Sequence, residues 1–176
     1  MKNLFLALLL VLGVGIVRAD DTTKIAASPL MAMCSLSPAS NSQVKGWVKF
    51  TQMKGYVKIE GEITGLTPGK HGFHVHEKGD CSSPDATSAG GHFNPTNKDH
   101  GSPSSKDRHV GDLGNITANK NGVAKISFKD NVIRLSGENS ILDRSLIVHG
   151  DRDDLKSQPT GNAGKRVACG VIELHK

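Results

Sequence analysis

The stretch Gly72–Cys81, "GFHVHEKGDC", reads as a strand that runs into a loop. On a strand, residues i and i+2 share a face, so His74 and His76 present both imidazoles to one side. Such a pair is either a two-pronged nitrogen ligand or an exposed polar strand face. The spacing alone does not choose between them.

Working outward, the rest of the chain is β-rich. "KGWVKFTQ" and "YVKIEGEI" precede the stretch, and Val44, Val48 and Phe50 partly follow a two-residue period. "HVGDLGNITA" and "GVAKISF" flank "NKNG", whose Asn121–Gly122 pair suits a hairpin turn. "SLIVHG" and "RVACGVIEL" supply the last apolar strands. No stretch carries a helical stripe of useful length. About eight short strands joined by Gly-rich turns imply an all-β fold, an antiparallel barrel or sandwich. Two segments break this rhythm, Glu77–Arg108 and Asp151–Lys165. Loops of that length in a compact domain usually serve a function.

The 176-residue chain is long enough for one domain. Residues 1–19 read as a secretory signal peptide: Lys2, the apolar run Leu4–Val17, then "VRA" ending at Ala19. The run is short for a membrane span, which needs about 20 residues. Residues 20–31 read as a mobile N-terminal extension and 32–176 as the domain. Export places all three cysteines in an oxidising space, where one disulfide and one leftover thiol are expected. Cys34 lies too far past the apolar run to be a lipid attachment site and reads as a small buried residue. The formal net charge of +5 is spread along the chain with few aromatics, so no nucleic-acid stripe is present. A mild basic bias still suits a small anionic substrate.

The eight histidines stand at positions 71, 74, 76, 92, 100, 109, 149 and 175. "RHVGD" supplies His109 and Asp112, and the first long loop adds His92 and His100. Three histidines and a carboxylate can close a tetrahedral zinc site and give order to a loop without a core. His149 remains as a further nitrogen ligand near the strand pair, and nitrogen-rich coordination favours copper(II). Two metals are expected. Spacing does not say which histidine serves which ion, or that the ions are adjacent.

With these blocks in view, the chain resembles the copper/zinc superoxide dismutase family. "GFHVHEKGDCS", "GGHFNP", "RHVGDLGN", "SLIVHG" and "GNAGKRVACGVI" occur in the family order, and the likeness runs from "AMCSLS" to "CGVIEL". The resemblance implies an eight-stranded antiparallel Greek-key barrel with two long functional loops. It implies copper held by His74, His76, His92 and His149, and zinc held by His92, His100, His109 and Asp112, one of each ion per subunit. His92 bridges the two ions. Asp153 is implied to hydrogen-bond His74 and His100, Cys81 to pair with Cys169, and Arg166 to attract and orient superoxide beside the copper, with Lys165 adding positive field. The implied reaction is dismutation of superoxide to dioxygen and hydrogen peroxide, with copper cycling between Cu(II) and Cu(I) and His92 helping to deliver a proton.

The chain departs from the familiar animal pattern in places. Cys81 comes earlier in its loop, a layout resembling many bacterial members. The second loop is short between Leu155 and Gly161, with Pro159 where animal enzymes commonly carry lysine, which puts its guidance of superoxide in question. Asp143 and Glu173 place charge where the animal-type contact is apolar or small, so a homodimer of that form is not carried over. His71 reads as structural and His175 as solvated. "NIT" at Asn115 is a glycosylation pattern in a strand-like run. The competing function is a module that buffers or delivers copper. The complete ligand set and Arg166 favour catalysis.

Overall fold

β2 (Lys45–Gln52) shows how this sequence makes strands: Val48 and Phe50 are fully buried, whereas Trp47 between Val48 and Gly46 is exposed. A computed structural model describes residues 29–175. The expected leader at 1–19 and extension residues 20–28 lie outside them. The chain enters β1 (Met31–Pro38) at Met31, and Leu30 before it is exposed.

Six further strands follow β2: β3 (Val57–Thr64), β4 (Gly69–His76), β5 (Asp112–Ala118), β6 (Ala124–Asp130), β7 (Ser145–His149) and β8 (Arg166–His175). They form one antiparallel sheet in the order β5-β4-β7-β8-β1-β2-β3-β6. The end strands β5 and β6 approach each other without pairing, so the sheet curls into a nearly closed Greek-key barrel. Among the described residues the only helical piece is a single 3-10 turn at Thr87–Ala89, and no helix is long and apolar enough to cross a membrane.

Inward-facing side chains from both halves fill the barrel, among them Phe50, Ile59, Ile63, Phe73, Leu146 and Ile172, all fully buried. Each contributes about 1.5–3 kcal/mol relative to exposure. The segment 131–144, between β6 and β7, adds Ile133, Leu135 and Ile141 to this core. It is a third long connection that the rhythm of the sequence did not single out.

The hairpin expected at Asn121–Gly122 is different in the structure. Gly122 N donates to Asn119 O at 2.9 Å, so the turn is centred on Lys120–Asn121. Gly122 follows it with φ 73°, and a Cβ there would run into Leu66 O. β5 and β6 leave this turn toward opposite edges of the sheet instead of pairing. β4 and β3, which satisfy their backbone groups, outcompete the local partner.

Candidate metal centre

Phe73 and Val75 of β4 point into the core, which sends His74 and His76 to the other face. That face is not exposed. Both rings are fully buried, because the first long loop folds back over them. His92 sits opposite His76 as an isolated bridge, fixed by Glu77 N to Gly91 O and Phe93 N to Val75 O, both 2.9 Å. The alternative of a polar strand face is thereby removed. Register shifts in the β4–β5 ladder next to His74, and in the β7–β8 ladder next to His149, re-aim the strands beside these two rings.

Two groups of four result, and His92 belongs to both. One ligand atom from each of His74, His76, His92 and His149 lies within 4.8 Å of the others. The same holds for His92, His100, His109 and Asp112. The His74 and His92 rings are 4.1 Å apart, and His76 and His149 each lie within about 5 Å of one of them.

Ring by ring, the hydrogen bonds say which nitrogen is committed. His74 Nε2 meets Asp153 Oδ2 at 2.8 Å, His76 Nδ1 meets Gly90 O at 2.9 Å, and His149 Nδ1 meets Gly164 O at 3.2 Å. The opposite nitrogens, His74 Nδ1, His76 Nε2 and His149 Nε2, have no partner, and neither has His92 Nε2. Four unsatisfied ring nitrogens converging in a dry interior would be costly unless something else bonds them. A metal ion of nitrogen preference fits that requirement.

In the second group, Asp112 Oδ1 lies 2.8 Å from His92 Nδ1, 3.0 Å from His100 Nδ1 and 3.2 Å from His109 Nδ1. Those spacings approach the edge of a zinc tetrahedron, about 3.3 Å for zinc–nitrogen bonds near 2.0 Å. Asp112 Oδ2 is anchored by the amides of Gly101 and His109, at 3.1 and 2.8 Å.

Titration suits the same reading. Burial pushes His76 well below its usual 6.5, with His92 adding to it. Burial likewise lowers His92 to about 4, although Asp112 partly opposes it, and His149 to about 3. These rings stay neutral with lone pairs free. Burial also disfavours charge on His100, but Asp112 and Asp153 together overcome it and raise it to about 9. Burial would raise the two carboxylates. Contacts from His100, His109 and His92 hold Asp112 far below the usual range, and His100 and His74 do the same for Asp153.

Asp153 spans the two groups, with Oδ2 on His74 and Oδ1 3.0 Å from His100 Nε2. Gly161 makes the closure possible. Its φ is 68°, and a Cβ there would strike Asp153 Oδ1 and come within 2.6 Å of His100 Nε2. Arg166, at the start of β8, donates to Ala86 O and Gly90 O, both at 2.7 Å. Burial lowers its pKa and the charge of Asp85 opposes that. Lys165 beside it is exposed.

Cys81 and Cys169 are bonded, with Cα atoms 5.8 Å apart and a sequence separation of 88. The bridge packs with Ala39, Ala86, Ala89 and Ile147, beneath the carbonyls that hold Arg166. The third cysteine, Cys34, is a buried β1 residue whose thiol is pushed up to about 12 chiefly by burial. His175 is exposed. His71 is buried between His149 O and Thr67 O, each 2.8 Å from a ring nitrogen, and so braces β7.

Three supports were not foreseen. Arg108 is buried, donating to Asp112 O and Asp130 Oδ2, both at 2.6 Å. Gln158 grips the His100 backbone through both ends of its amide, at 2.8 and 3.0 Å. Asn115 does the same to Asp153, at 2.9 and 3.0 Å, so the amide of the glycosylation pattern is engaged in the fold. Arg108 and Asn115 flank the ligands within "RHVGDLGN", the one signal that could have marked them. Gln158 had none.

A scan against family models matches residues 44–172 to "Copper/zinc superoxide dismutase". Superoxide dismutase [Cu-Zn] A of Xenopus laevis is 53% identical over 148 residues, 80% of this chain and 95% of its own. An extracellular superoxide dismutase [Cu-Zn] of Brugia pahangi is 50% identical over 145 residues, 77% and 72% of the two chains. A solved structure described as the clock protein EA4 superposes with a TM-score of 0.77 at 46% identity, covering 84% of this chain and 96% of that one. The shared imidazole, the order of the blocks and these matches lead to one conclusion: this chain belongs to the copper/zinc superoxide dismutase family.

Proposed function

We propose that this chain is an exported superoxide dismutase, holding one copper at His74, His76, His92 and His149 and one zinc at His92, His100, His109 and Asp112. It is an oxidoreductase that converts superoxide to dioxygen and hydrogen peroxide. The observation that carries the site assignment is the set of four convergent ring nitrogens without a protein partner. When bound, copper would supply the one-electron couple and zinc would supply fixed positive charge.

The residues divide the remaining work. Arg166 attracts the anion and orients it by hydrogen bonding, from a guanidinium that two carbonyls hold in place. His92 is the ring assigned to carry a proton to the product at Nε2, while its Nδ1 faces Asp112 and His109. Asp153 fixes the orientation of His74 and His100 together. Every ligand comes from a single chain, so the chemistry requires no second copy.

Export is supported by the leader-like segment 1–19, by a disulfide, and by a relative described as extracellular. N-terminal sequencing of the secreted product should begin at Asp20. Metal analysis of that product with a superoxide assay tests the function. Copper and zinc together with dismutation support the proposal, whereas both metals without dismutation would favour a copper buffer.

A further inference from the structure

The cavity beside Arg166 has a volume of about 230 Å³ and is lined by Ser40, Asp85, Thr87, Gly164, Lys165 and Arg166. Two of these residues are cationic and one is anionic. Asp85 is held at this rim. Its Oδ1 accepts from Thr87 N at 3.1 Å and Thr87 Oγ1 at 2.7 Å. The residue after it, Ala86, accepts from Arg166 through its carbonyl at 2.7 Å. The carboxylate and the guanidinium are therefore parts of one short stretch of structure. Gly164, which also lines the cavity, accepts from His149 Nδ1 through its carbonyl at 3.2 Å.

We propose that Asp85 sets which anions reach Arg166, by repelling each in proportion to its charge. The proposal rests on the assignment of Arg166 and the copper ligands given above. A mouth built to recruit an anion gains rate from every positive charge and loses it to a fixed negative one. What the negative charge adds is discrimination. Coulomb energy is proportional to ligand charge, so a carboxylate that costs a monoanion some factor in affinity costs a dianion about the square of it. Asp85 is exposed, so the effect is modest and fades with salt. A unit charge about 7 Å away in water corresponds to a factor of about two to three. Superoxide is singly charged, whereas inorganic phosphate is an even mixture of mono- and dianion near neutral pH and the dianion at alkaline pH, so the rim favours the substrate over the doubly charged form.

The test uses Asp85→Asn in the copper- and zinc-loaded protein, because asparagine keeps the acceptor on Thr87 and removes only the charge. Azide, a monoanion, is titrated by its cupric absorption band, and hydrogen phosphate is measured by competition against azide, both at low ionic strength and at a mildly alkaline pH where phosphate is the dianion. The expected result is azide binding about two- to threefold tighter and phosphate binding tighter by roughly the square of that factor. Both gains should vanish at high salt, and kcat/KM for superoxide should rise with azide affinity. Equal changes for the two anions, or none, with an unchanged melting temperature would overturn the proposal. A cupric azide band missing from the unsubstituted protein would instead overturn the reading of the centre, and this inference with it.

Discussion

His76 and Arg166 meet on one oxygen atom. The carbonyl of Gly90 accepts from His76 Nδ1 at 2.9 Å and from Arg166 Nη2 at 2.7 Å. A ring proposed to hold copper and the guanidinium proposed to attract the anion are thus placed by a single peptide unit of the first long loop. That unit is in turn seated on Ala86 and Ala89, which pack against the disulfide.

The disulfide should therefore matter to activity as well as to stability. Cys169→Ser breaks a link across a sequence separation of 88 and is expected to lower stability by about 2–5 kcal/mol in denaturant titration. Dismutation should fall even below the unfolding transition, because Gly90 O loses its seat. Full activity in the folded variant would show that the loop is held without the bond.

Asp153→Asn replaces a carboxylate that serves two rings with an amide carrying one acceptor. Metal affinity should drop about 10- to 100-fold, measured by competition with chromophoric chelators. Both ions should be affected, since Oδ1 and Oδ2 face different groups. Weakening confined to one ion would show that the other ring is oriented by something else.

His149→Ala is expected to abolish dismutation and leave zinc bound, since His149 belongs only to the first group. Zinc content by elemental analysis beside the activity assay decides it. Retained full activity would remove His149 from the copper site.

Arg166→Glu should slow turnover and weaken or reverse its dependence on salt, because the charge proposed to attract the anion changes sign. Rates across a range of ionic strength check this. An unchanged rate at low salt would contradict steering by Arg166.

The metal-free protein should be most stable near pH 6.5. His92 titrates at about 4 and His149 at about 3, below the 6.5 of the unfolded chain, chiefly because burial disfavours their charged forms. The stability they confer is fully present above 6.5 and is lost as pH falls through 4 and 3. His100 has the opposite sign. Its value of about 9 means a contribution that is full below 6.5 and lost as pH rises through 9. Thermal melts across pH should fall on both sides of the maximum. Loading zinc should abolish the alkaline decline, because coordination replaces the proton on His100.

Lys45–Gln52 was readable because burying one face leaves a partial two-residue period in the residues themselves, whereas Ser145–His149, buried throughout, was readable as a short apolar run. The pairing of strands was not readable in that way. The Asn121–Gly122 signal is local, whereas β5 and β6 find their partners far away in sequence in β4 and β3, as in the pairs His71–Ile116 and Ile59–Phe128. Third long connection 131–144 hides core residues between polar ones that carry no period.

The histidines, their alternation at 74 and 76 and their company with Asp112 were determined by sequence, since ligand chemistry belongs to residue type and spacing to the chain. Only the tertiary structure decided that His74 and His76 lie under a loop rather than in water, that each ring turns one nitrogen to a carbonyl or carboxylate and the other inward, and that Asp85 shares a rim with Arg166. Those relations depend on where segments distant in sequence come to rest, and that is set by burial and backbone pairing over the whole barrel.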